Sequence, residues 1–588
     1  MPGQLLSRYD AGVGKGLAWC AARPFRASAV IVLLCLALFV PGVFSRPPVD
    51  RTEVRYAISA RTMLETGDWL VPRDRKGAEV GRPVGILWLQ ALSTKLLGPA
   101  SYDAIWTYRL PSLAGAVLAV LFLFFGMRSI AGDETALLAA GLTAHSLFLA
   151  LQARLALPQA AALAAAVVAQ TSLARLYVGQ SCLSPASRKR AGLTFWAAIG
   201  AGILLNSFII PALAVLTIIG LLIQDRSLRW LAGANHALGL VLAVAIASPW
   251  PLSFWLSIAD PTPDPHLSLV AWLSLVVDSQ HMNHDAFPGS FILMAWFGLL
   301  PCILLAYPAC QLVWRNRPRP LMRFLVAWLV PYIAVLELIS DKPPLYMVQY
   351  ALPALALAVA LLITKNPVTG PPQAVWAPSW ARVIWALVGI GLGAAALWLE
   401  TWAGDPVTLP IIAAAAVTMI CFAATAVVWP RCSTLAATTF SLAGTAVAYW
   451  LFLALILPPT STKWPSNRLA DLRESLRTCY PDPPIVAGYS EPSVIFLMGF
   501  DTVTTTGSRA PEYLEETPRA LAIIEKSHLR RFEEAVQKRS AAAPVRVACL
   551  SGRNPFTSGR NQFFAIYAKP PLPSDPTCPP PPRYRCPS

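Results

Sequence analysis

The chain has 588 residues, of which 56% are hydrophobic and only 13% are charged, and its formal net charge is +16 at pH 7. This composition excludes an ordinary soluble protein of this length and is typical of one that crosses a membrane several times. The basic residues gather in short segments between apolar runs, so the charge indicates membrane-surface anchoring and not nucleic-acid binding.

The first apolar run, 27–45, carries no charged residue and is long enough, at roughly 20 residues, to cross a bilayer. Pro41 interrupts this run, and Ser45-Arg46-Pro47 lacks a small-x-small cleavage site, so a membrane span is favoured over a cleaved signal peptide. Similar runs follow at 108–127, 133–151, 155–179, 193–206, 208–223, 233–255, 291–314, 321–340, 346–364, 381–400, 408–429 and 434–458. The sequence therefore predicts about thirteen spans, although 193–223 is also compatible with one long re-entrant segment.

The distribution of basic residues predicts the orientation of these spans. Arg8, Lys15, Arg23 and Arg26 precede the first span, and further clusters such as Arg188-Lys189-Arg190 fall on the same side under the thirteen-span assignment. Because cytoplasmic loops are enriched in Lys and Arg, this side is expected to face the cytoplasm. We therefore expect a multi-pass protein of the bacterial inner membrane whose C-terminal region lies in the periplasm.

Three regions follow from these patterns. Residues 1–26 form a cytoplasmic tail, residues 27–459 form the transmembrane domain, and residues 460–588 form a small exported α/β domain with a Pro-rich end. Within the membrane domain, the outer loop 46–107 contains an amphipathic helix, Glu53 to Glu65, and an apolar helix, Val84 to Leu97, that is too short for a clear span. Both helices are expected to lie in the outer interface.

The C-terminal region alternates helix and strand patterns. Arg468 to Arg477, Leu514 to Lys526 and Leu529 to Lys538 are predicted as helices, while Pro484 to Tyr489 and Val545 to Cys549 are predicted as strands. The region holds four cysteines, an even number that suits disulfides in an oxidising compartment. Of the three pairings that four cysteines allow, Cys479 with Cys549 and Cys578 with Cys586 is the one we expect.

The outer loop carries an unusual density of charge for so apolar a chain. It contains Asp50-Arg-Thr-Glu-Val-Arg-Tyr-Ala57, Met63-Leu-Glu-Thr-Gly-Asp68 and Arg82-Pro-Val-Gly-Ile-Leu-Trp-Leu-Gln90. Further characteristic stretches are Ile105-Trp-Thr-Tyr-Arg-Leu-Pro-Ser112, Ala153-Arg-Leu-Ala156, Phe324-Leu-Val-Ala-Trp-Leu-Val-Pro331 and Ala487-Gly-Tyr-Ser-Glu-Pro-Ser493. In these stretches the chain resembles glycosyltransferase family 39, which includes the lipid-A aminoarabinose transferases and the protein O-mannosyltransferases.

The resemblance implies a GT-C fold, mostly α-helical, and transfer of a sugar from a polyprenyl-phosphate carrier to an acceptor at the outer membrane face, with inversion. Such a reaction needs a carboxylate near the acceptor, cations on the leaving phosphate and an apolar groove for the isoprenoid chain. It implies no required cofactor. The implied partners are the membrane, the lipid carrier, an envelope acceptor and, for an inactive relative, an active glycosyltransferase.

Several positions depart from the family pattern. The catalytic Asp of the family falls on Thr52, and a second Asp falls on Gln159. A Lys-Gly-Pro sequence falls on Asn206-Ser207-Phe208, and a His falls on Leu345. The Lys before a Pro is Arg82 here, which keeps the positive charge.

The remaining polar residues define the candidate site. Glu53 or Asp50 could replace the missing acid, although Glu53 could instead pair within the loop helix, for example with Arg55. The candidates for holding the carrier phosphate or lipid are Arg55, Tyr56, Arg82, Arg154, Lys342, Tyr346 and, as a substituted position, Asn206. Arg55 and Arg82 are equally compatible with interfacial salt bridges, and Arg154 with a side chain that reaches the interface.

A divalent metal ion is a further candidate ligand, at His281, His284 and Asp285 in the outer loop 256–290. Solvated loop residues are the simpler interpretation of the same pattern.

Two functions remain open from the sequence. The first is a glycosyltransferase that transfers a sugar from its polyprenyl-phosphate carrier to a lipid, glycan or protein of the envelope. The second is a catalytically inactive relative that binds the lipid carrier or acts as a scaffold in envelope assembly.

Overall fold

The computed structural model describes residues 2–48, 51–73, 82–180, 183–258, 286–339, 343–372, 379–403, 407–456, 464–539, 543–553, 561–570 and 586. Most of the Pro-rich end lies outside these ranges, and so do five candidate site residues, namely Asp50, Lys342, His281, His284 and Asp285. Our expectations for those residues therefore stay predictions.

Most of the described chain is helical, as the long apolar runs predict. The helices of the membrane body are α1 Pro2–Ala21, α2 Pro24–Phe39, α3 Arg51–Thr66, α4 Val84–Leu97, α5 Ile105–Ala131, α6 Asp133–Ala144, α7 Leu147–Gln152, α8 Gln159–Val178, α9 Pro185–Asn206, α10 Ile209–Asp225, α11 His236–Ala247, α12 Pro249–Ile258, α13 Ser290–Gly298, α14 Ile303–Arg315, α15 Pro320–Leu338, α16 Leu352–Ile363, α17 Ser379–Ala403, α18 Leu409–Val428 and α19 Thr434–Trp450. A 3-10 segment, Leu345–Tyr350, precedes α16, and a π-helical turn, Leu451–Ile456, follows α19.

Six of the described helices are long and apolar enough to span a membrane, namely α5, α8, α15, α17, α18 and α19. Two bent pairs, α1 with α2 at 113° and α13 with α14 at 108°, bring the number to eight if each pair is one span. The shorter apolar helices α4, α10, α11 and α16 fall below that length. The expected count of about thirteen spans stays a prediction. In the segment 193–223, two helices, α9 and α10, are separated by a break at Ser207 and Phe208.

Close backbone contact holds the centre of the membrane body together. A Cβ atom on Gly115 of α5 would lie 2.4 Å from the Cα of Ala161 on α8. A Cβ on Gly85 of α4 would lie 2.7 Å from the backbone oxygen of Leu204 on α9. Only glycine allows helices to approach this closely. The first contact joins α5 to α8, and the second joins the start of α4 to the end of α9.

The C-terminal unit combines a five-stranded sheet with short helices. The strands are β1 Ile485–Ala487, β2 Val503–Thr505, β3 Ala522–Glu525, β4 Val545–Arg553 and β5 Asn561–Ala568, in the order β2-β1-β3-β5-β4. The helices are α20 Pro465–Ser475, α21 Pro492–Met498, α22 Ala510–Glu516 and α23 Lys526–Gln537. β1 is parallel to β2 and β3, whereas β5 is antiparallel to both β3 and β4.

Two expectations for this unit were wrong. The single helix expected from Leu514 to Lys526 is the end of α22 followed by β3, because Pro518 breaks the pattern and the run Ala522-Ile-Ile pairs with β1 and β5. The expected disulfide pairing also fails, since Cys549 is bonded to Cys586. Cys479 is disulfide-bonded as well. The sheet places Cys549 on a buried strand, which the sequence spacing of the cysteines could not reveal.

The C-terminal unit contacts the outer loop through α21. The ring of Phe496 lies 5.9 Å from that of Tyr108 at the start of α5, in an edge-to-face arrangement. The guanidinium of Arg61 on α3 lies 4.0 Å from the ring centroid of Phe500. Such contacts add aromatic and cation–π stabilisation to the apolar burial. The C-terminal unit therefore helps to fix α3, the helix that carries the candidate site.

Candidate functional site

The candidate site begins on one face of α3. Thr52, Arg55 and Tyr56 are spaced i, i+3 and i+4 and therefore point to the same side of the helix. Thr52 is half-buried, Arg55 is exposed and Tyr56 is 5% exposed. Burial raises the pKa of the Tyr56 phenol above its ordinary value, so this group stays a neutral hydroxyl at physiological pH.

Arg82 brings a buried positive charge to this face. Its guanidinium carbon lies 4.5 Å from the ring centroid of Tyr56, in a cation–π arrangement, and its side chain is 9% exposed. Its Nη1 atom is buried without a hydrogen-bond partner, and in the described part of the chain no carboxylate forms an ion pair with it. Burial and the nearby charge of Arg55 lower the pKa of Arg82. A buried cation in this state favours an anionic ligand.

Four polar side chains from other helices complete this cluster. Asn206, at the end of α9, donates from Nδ2 to the Tyr350 hydroxyl at 2.9 Å. Gln159, at the start of α8, lies 3.5 Å from the Tyr346 hydroxyl through its Nε2 atom. The segment after Arg82 packs against the end of α9 that carries Asn206, since a Cβ on Gly85 would lie 2.7 Å from the backbone oxygen of Leu204. The Oδ1 atom of Asn206 and the Oε1 atom of Gln159 are buried without a hydrogen-bond partner.

The fold thus brings six residues together. Five of them were proposed as site residues from the sequence, and the sixth contacts one of these five. The six are Tyr56, Arg82, Gln159, Asn206, Tyr346 and Tyr350. The first five were predicted from the sequence. Tyr350 was missed, because a tyrosine within an apolar run carries no signal of its own until the 3-10 segment directs it towards Asn206.

Glu53 lies next to Thr52 but points into a different environment. It is fully buried and forms a two-point ion pair with Arg109, with Nε–Oε1 at 2.7 Å and Nη2–Oε2 at 3.2 Å. The backbone N–H of Ala156 also donates to its Oε1 atom at 3.0 Å. The partner is therefore Arg109, 56 positions away, and not Arg55. Burial raises the pKa of this carboxyl, but the charges of Arg109 and Arg46 and the Ala156 bond outweigh burial and hold the pKa below its ordinary value.

Arg109 also ties the start of the outer loop to α5. Its Nη1 atom donates to the carbonyl oxygens of Val43 at 2.8 Å and Arg46 at 2.6 Å, and its Nη2 atom donates to that of Pro47 at 3.1 Å. Sequence reasoning missed this residue, although a charged residue at the start of a long apolar helix is itself a signal.

Arg154 is part of the same buried network. Its own carbonyl accepts from Nη2 of Arg46 at 3.0 Å, and its guanidinium donates to the carbonyls of Pro41, Leu38 and Ala150. It is 0% exposed. The structure therefore uses Arg154 to bind backbone at the ends of α2 and α7, away from the cluster around Arg82.

An apolar groove opens between α4, α5, α8 and α9, with a cavity volume of about 610 Å³. Its walls include Leu89 and Leu92 of α4, Gly115 of α5, Ala164 of α8 and Ala198 of α9. Leu205, the neighbour of Asn206 in the polar cluster, also lines the groove. The groove borders the candidate spans α5 and α8, and its apolar walls suit a hydrocarbon chain.

No group of three or more metal-ligating side chains occurs among the residues that the structure describes. The histidines at 281 and 284 and Asp285 lie outside those residues, so the candidate metal site stays a prediction.

Comparison with known proteins gives matches over much of the chain. The sequence pattern of the family described as "Dolichyl-phosphate-mannose-protein mannosyltransferase" matches residues 81–254. The undecaprenyl phosphate-alpha-4-amino-4-deoxy-L-arabinose arabinosyl transferase of Pectobacterium atrosepticum is 26% identical over 63% of this chain and 65% of its own length. The same enzyme of Pseudomonas paraeruginosa is 28% identical over 56% of this chain and 59% of its own length. The match thus spans less than two thirds of each of these curated relatives.

Solved structures confirm the predicted fold. The crystal structure of ArnT from Cupriavidus metallidurans in the apo state has a TM-score of 0.65 at 17% identity, covering 92% of this chain and 97% of that one. The structure of the same protein bound to undecaprenyl phosphate also has a TM-score of 0.65 and covers 91% of this chain and 97% of that one. The GT-C fold expected from the sequence is therefore confirmed.

One backbone detail concerns Ser207, directly beside Asn206. It has φ 59° and ψ −143°, a conformation that favours glycine. The family 39 resemblance implies a Lys-Gly-Pro sequence at 206–208, so this conformation falls where the resemblance leads us to expect a glycine.

Proposed function

We propose that this chain, which resembles the family 39 glycosyltransferases, binds a polyprenyl-phosphate-linked sugar at the outer face of the bacterial inner membrane and transfers the sugar to an acceptor of the envelope. The polar cluster around Arg82 supports this proposal as a site for the sugar donor. The C-terminal unit then lies in the periplasm, and the reaction needs no cofactor.

The observation that carries this proposal is the buried guanidinium of Arg82, whose Nη1 atom has no hydrogen-bond partner among the described residues. A charged group that is 9% exposed and has a hydrogen-bonding atom without a partner is costly unless a ligand supplies the opposite charge. A phosphate meets that need, because guanidinium and phosphate form strong charge-assisted hydrogen bonds. Arg55 adds a second positive charge close enough to lower the pKa of Arg82.

The apolar groove supplies the second part of the donor site. Its walls are mostly alanine and leucine residues, and α4, which begins two residues after Arg82, forms one of these walls. A lipid whose phosphate contacts Arg82 can therefore place its isoprenoid chain along α4. Two relatives of this chain are named for undecaprenyl phosphate sugars, and one solved neighbour is described as bound to undecaprenyl phosphate.

A second candidate function rests on the acids of the site. In the described part of the chain, Thr52 and Gln159 are neutral, and the one carboxylate beside them, Glu53, is engaged by Arg109 and the Ala156 N–H. An ionised carboxylate held this way is a poor proton acceptor. This favours an inactive relative that binds the lipid carrier, with an active glycosyltransferase as its partner in envelope assembly. Asp50 is the remaining candidate acid.

The deciding experiment measures release of free polyprenyl phosphate from a panel of polyprenyl-phosphate sugars by the purified full-length protein, with acceptor membranes supplied. A Thr52→Asp variant is assayed beside it. Turnover by the unmodified protein supports transfer and excludes the inactive alternative. Binding without turnover supports the alternative, and turnover gained by Thr52→Asp would locate the loss at that position. Absence of both binding and turnover refutes the proposed function.

A further inference from the structure

The proposed phosphate site carries two positive charges that form no ion pair with a carboxylate among the described residues. Arg55 and Tyr56 are neighbours on α3, and the guanidinium of Arg82 lies 4.5 Å from the ring centroid of Tyr56. Arg82 is 9% exposed, and its Nη1 atom is buried without a hydrogen-bond partner among those residues. Two like charges on either side of one tyrosine repel each other, and a ligand with two negative charges would balance both.

The residue at position 52 determines how large this excess is. Thr52 shares the helix face of Arg55 and Tyr56, so a carboxylate at this position would neutralise one of the two guanidinium charges. A threonine hydroxyl carries no charge. Glu53 cannot take over this role, since its two carboxylate oxygens already contact Arg109.

The other polar groups of the cluster that the structure describes are neutral. Tyr56 is a phenol whose pKa is raised by burial, and the remaining neighbours are the amides of Asn206 and Gln159 and the phenols of Tyr346 and Tyr350. None of these described groups takes up or releases a proton between pH 5.5 and 8 in its ordinary range. The charge that the site must balance is therefore constant in this range.

Lipid phosphates differ by one charge according to their substitution. A phosphate that carries a lipid and a sugar is a diester with one negative charge, whereas a free polyprenyl phosphate is a monoester with a charge near −2 above its second pKa of about 6. We propose that this site is selective for the phosphomonoester, so that the chain binds free polyprenyl phosphate more tightly than the sugar-linked carrier. This proposal rests on the proposed function, since it specifies which form of the carrier the same site prefers.

The selectivity has a direct consequence for function. In a transferase, a site that matches the dianion stabilises the leaving phosphate and retains it after transfer. In an inactive relative, the same site retains the free carrier at the outer membrane face. Both roles depend on the neutral residue at position 52.

The test compares farnesyl phosphate with its monomethyl ester, which have the same isoprenoid chain and differ by one charge. Binding to the full-length protein in nanodiscs is measured at pH 8 and pH 5.5. We expect at least a tenfold lower Kd for the monoester at pH 8, shrinking to a few-fold at pH 5.5 as the monoester takes up a proton. The affinity for the methyl ester should not change with pH.

Two variants assign the effect to the site. Thr52→Asp should bring the two Kd values close together, and Arg82→Gln should weaken both ligands. The matched control is Lys95→Gln, which removes a charge at the exposed end of α4, the helix that follows Arg82, near Trp69, and should leave the selectivity unchanged. Higher salt should weaken the monoester more than the diester.

Three results would overturn the proposal. Equal Kd values at pH 8 would refute the selectivity while leaving the proposed lipid-phosphate binding intact. If the folded Thr52→Asp protein keeps the preference for the monoester, position 52 does not set that preference. If this variant fails to fold, the unmodified protein decides: a preference for the monoester that is as strong at pH 5.5 as at pH 8 would refute the proposal. Binding of neither probe would refute the proposed function as well.

Discussion

Replacing Glu53 by Gln should destabilise the fold before it affects any chemistry. Glu53 and Arg109 are both 0% exposed and form two short contacts, so the change leaves the Arg109 charge buried without its partner. Removing one member of such a buried pair typically costs about 3–5 kcal/mol. The loss extends beyond α3, because Arg109 also binds the carbonyls of Val43, Arg46 and Pro47.

The assay is thermal and denaturant unfolding of the purified protein, followed by tryptophan fluorescence. The matched control is Glu65→Gln on the same helix, whose contact with Arg61 is 41% exposed on the Glu side and should contribute at most about 1 kcal/mol. A double variant, Glu53→Gln with Arg109→Met, removes both charges and should be more stable than Glu53→Gln alone.

The pH dependence of this effect has a definite sign. The folded pKa of Glu53 lies below its unfolded value near 4.3, so the pair contributes full stability above that value. The contribution is lost as the pH falls through the folded pKa, and the unmodified protein and Glu53→Gln should then converge in stability. If Glu53→Gln instead unfolds like the unmodified protein, still binds the carrier and loses all turnover, then Glu53 is the catalytic base and the structural reasoning is wrong.

Three further predictions concern other parts of the fold. Ala198→Phe should fill the apolar groove and weaken binding of a long polyprenyl phosphate by at least tenfold while sparing farnesyl phosphate; equal losses for both would show that the groove does not hold the chain. Ser207→Gly should raise the free energy of unfolding by about 1 kcal/mol, because the backbone at this position suits glycine; an unchanged melting temperature would contradict the strain. Cys586→Ser opens a 37-residue loop to Cys549 and should destabilise the C-terminal unit by about 3–4 kcal/mol, and peptide mapping without reduction should recover the Cys549–Cys586 pair.

The amino-acid sequence by itself determined the class of the protein and most of its helices. Apolar runs at bilayer length predict membrane helices whatever their neighbours are, since each span satisfies its own backbone hydrogen bonds. The helices α3 and α4 were predicted for a similar reason, because their patterns are local. The motifs of the outer loop and of the later stretches likewise led to the family resemblance and to five residues of the polar cluster.

The tertiary structure decided which residues pair with each other across the fold. Glu53 and Arg109 are 56 positions apart, and only the packing of α3 against the start of α5 joins them. The same holds for β3, whose segment has a helical pattern but pairs with β1 and β5, and for the disulfide between Cys549 and Cys586. Local sequence fixes which conformations a segment favours, whereas burial and pairing across the fold decide which charge is balanced and which is left for a ligand. For this reason the sequence could name Arg82 and Glu53 together as candidates, but only the fold separated the unpaired cation from the carboxylate already in use.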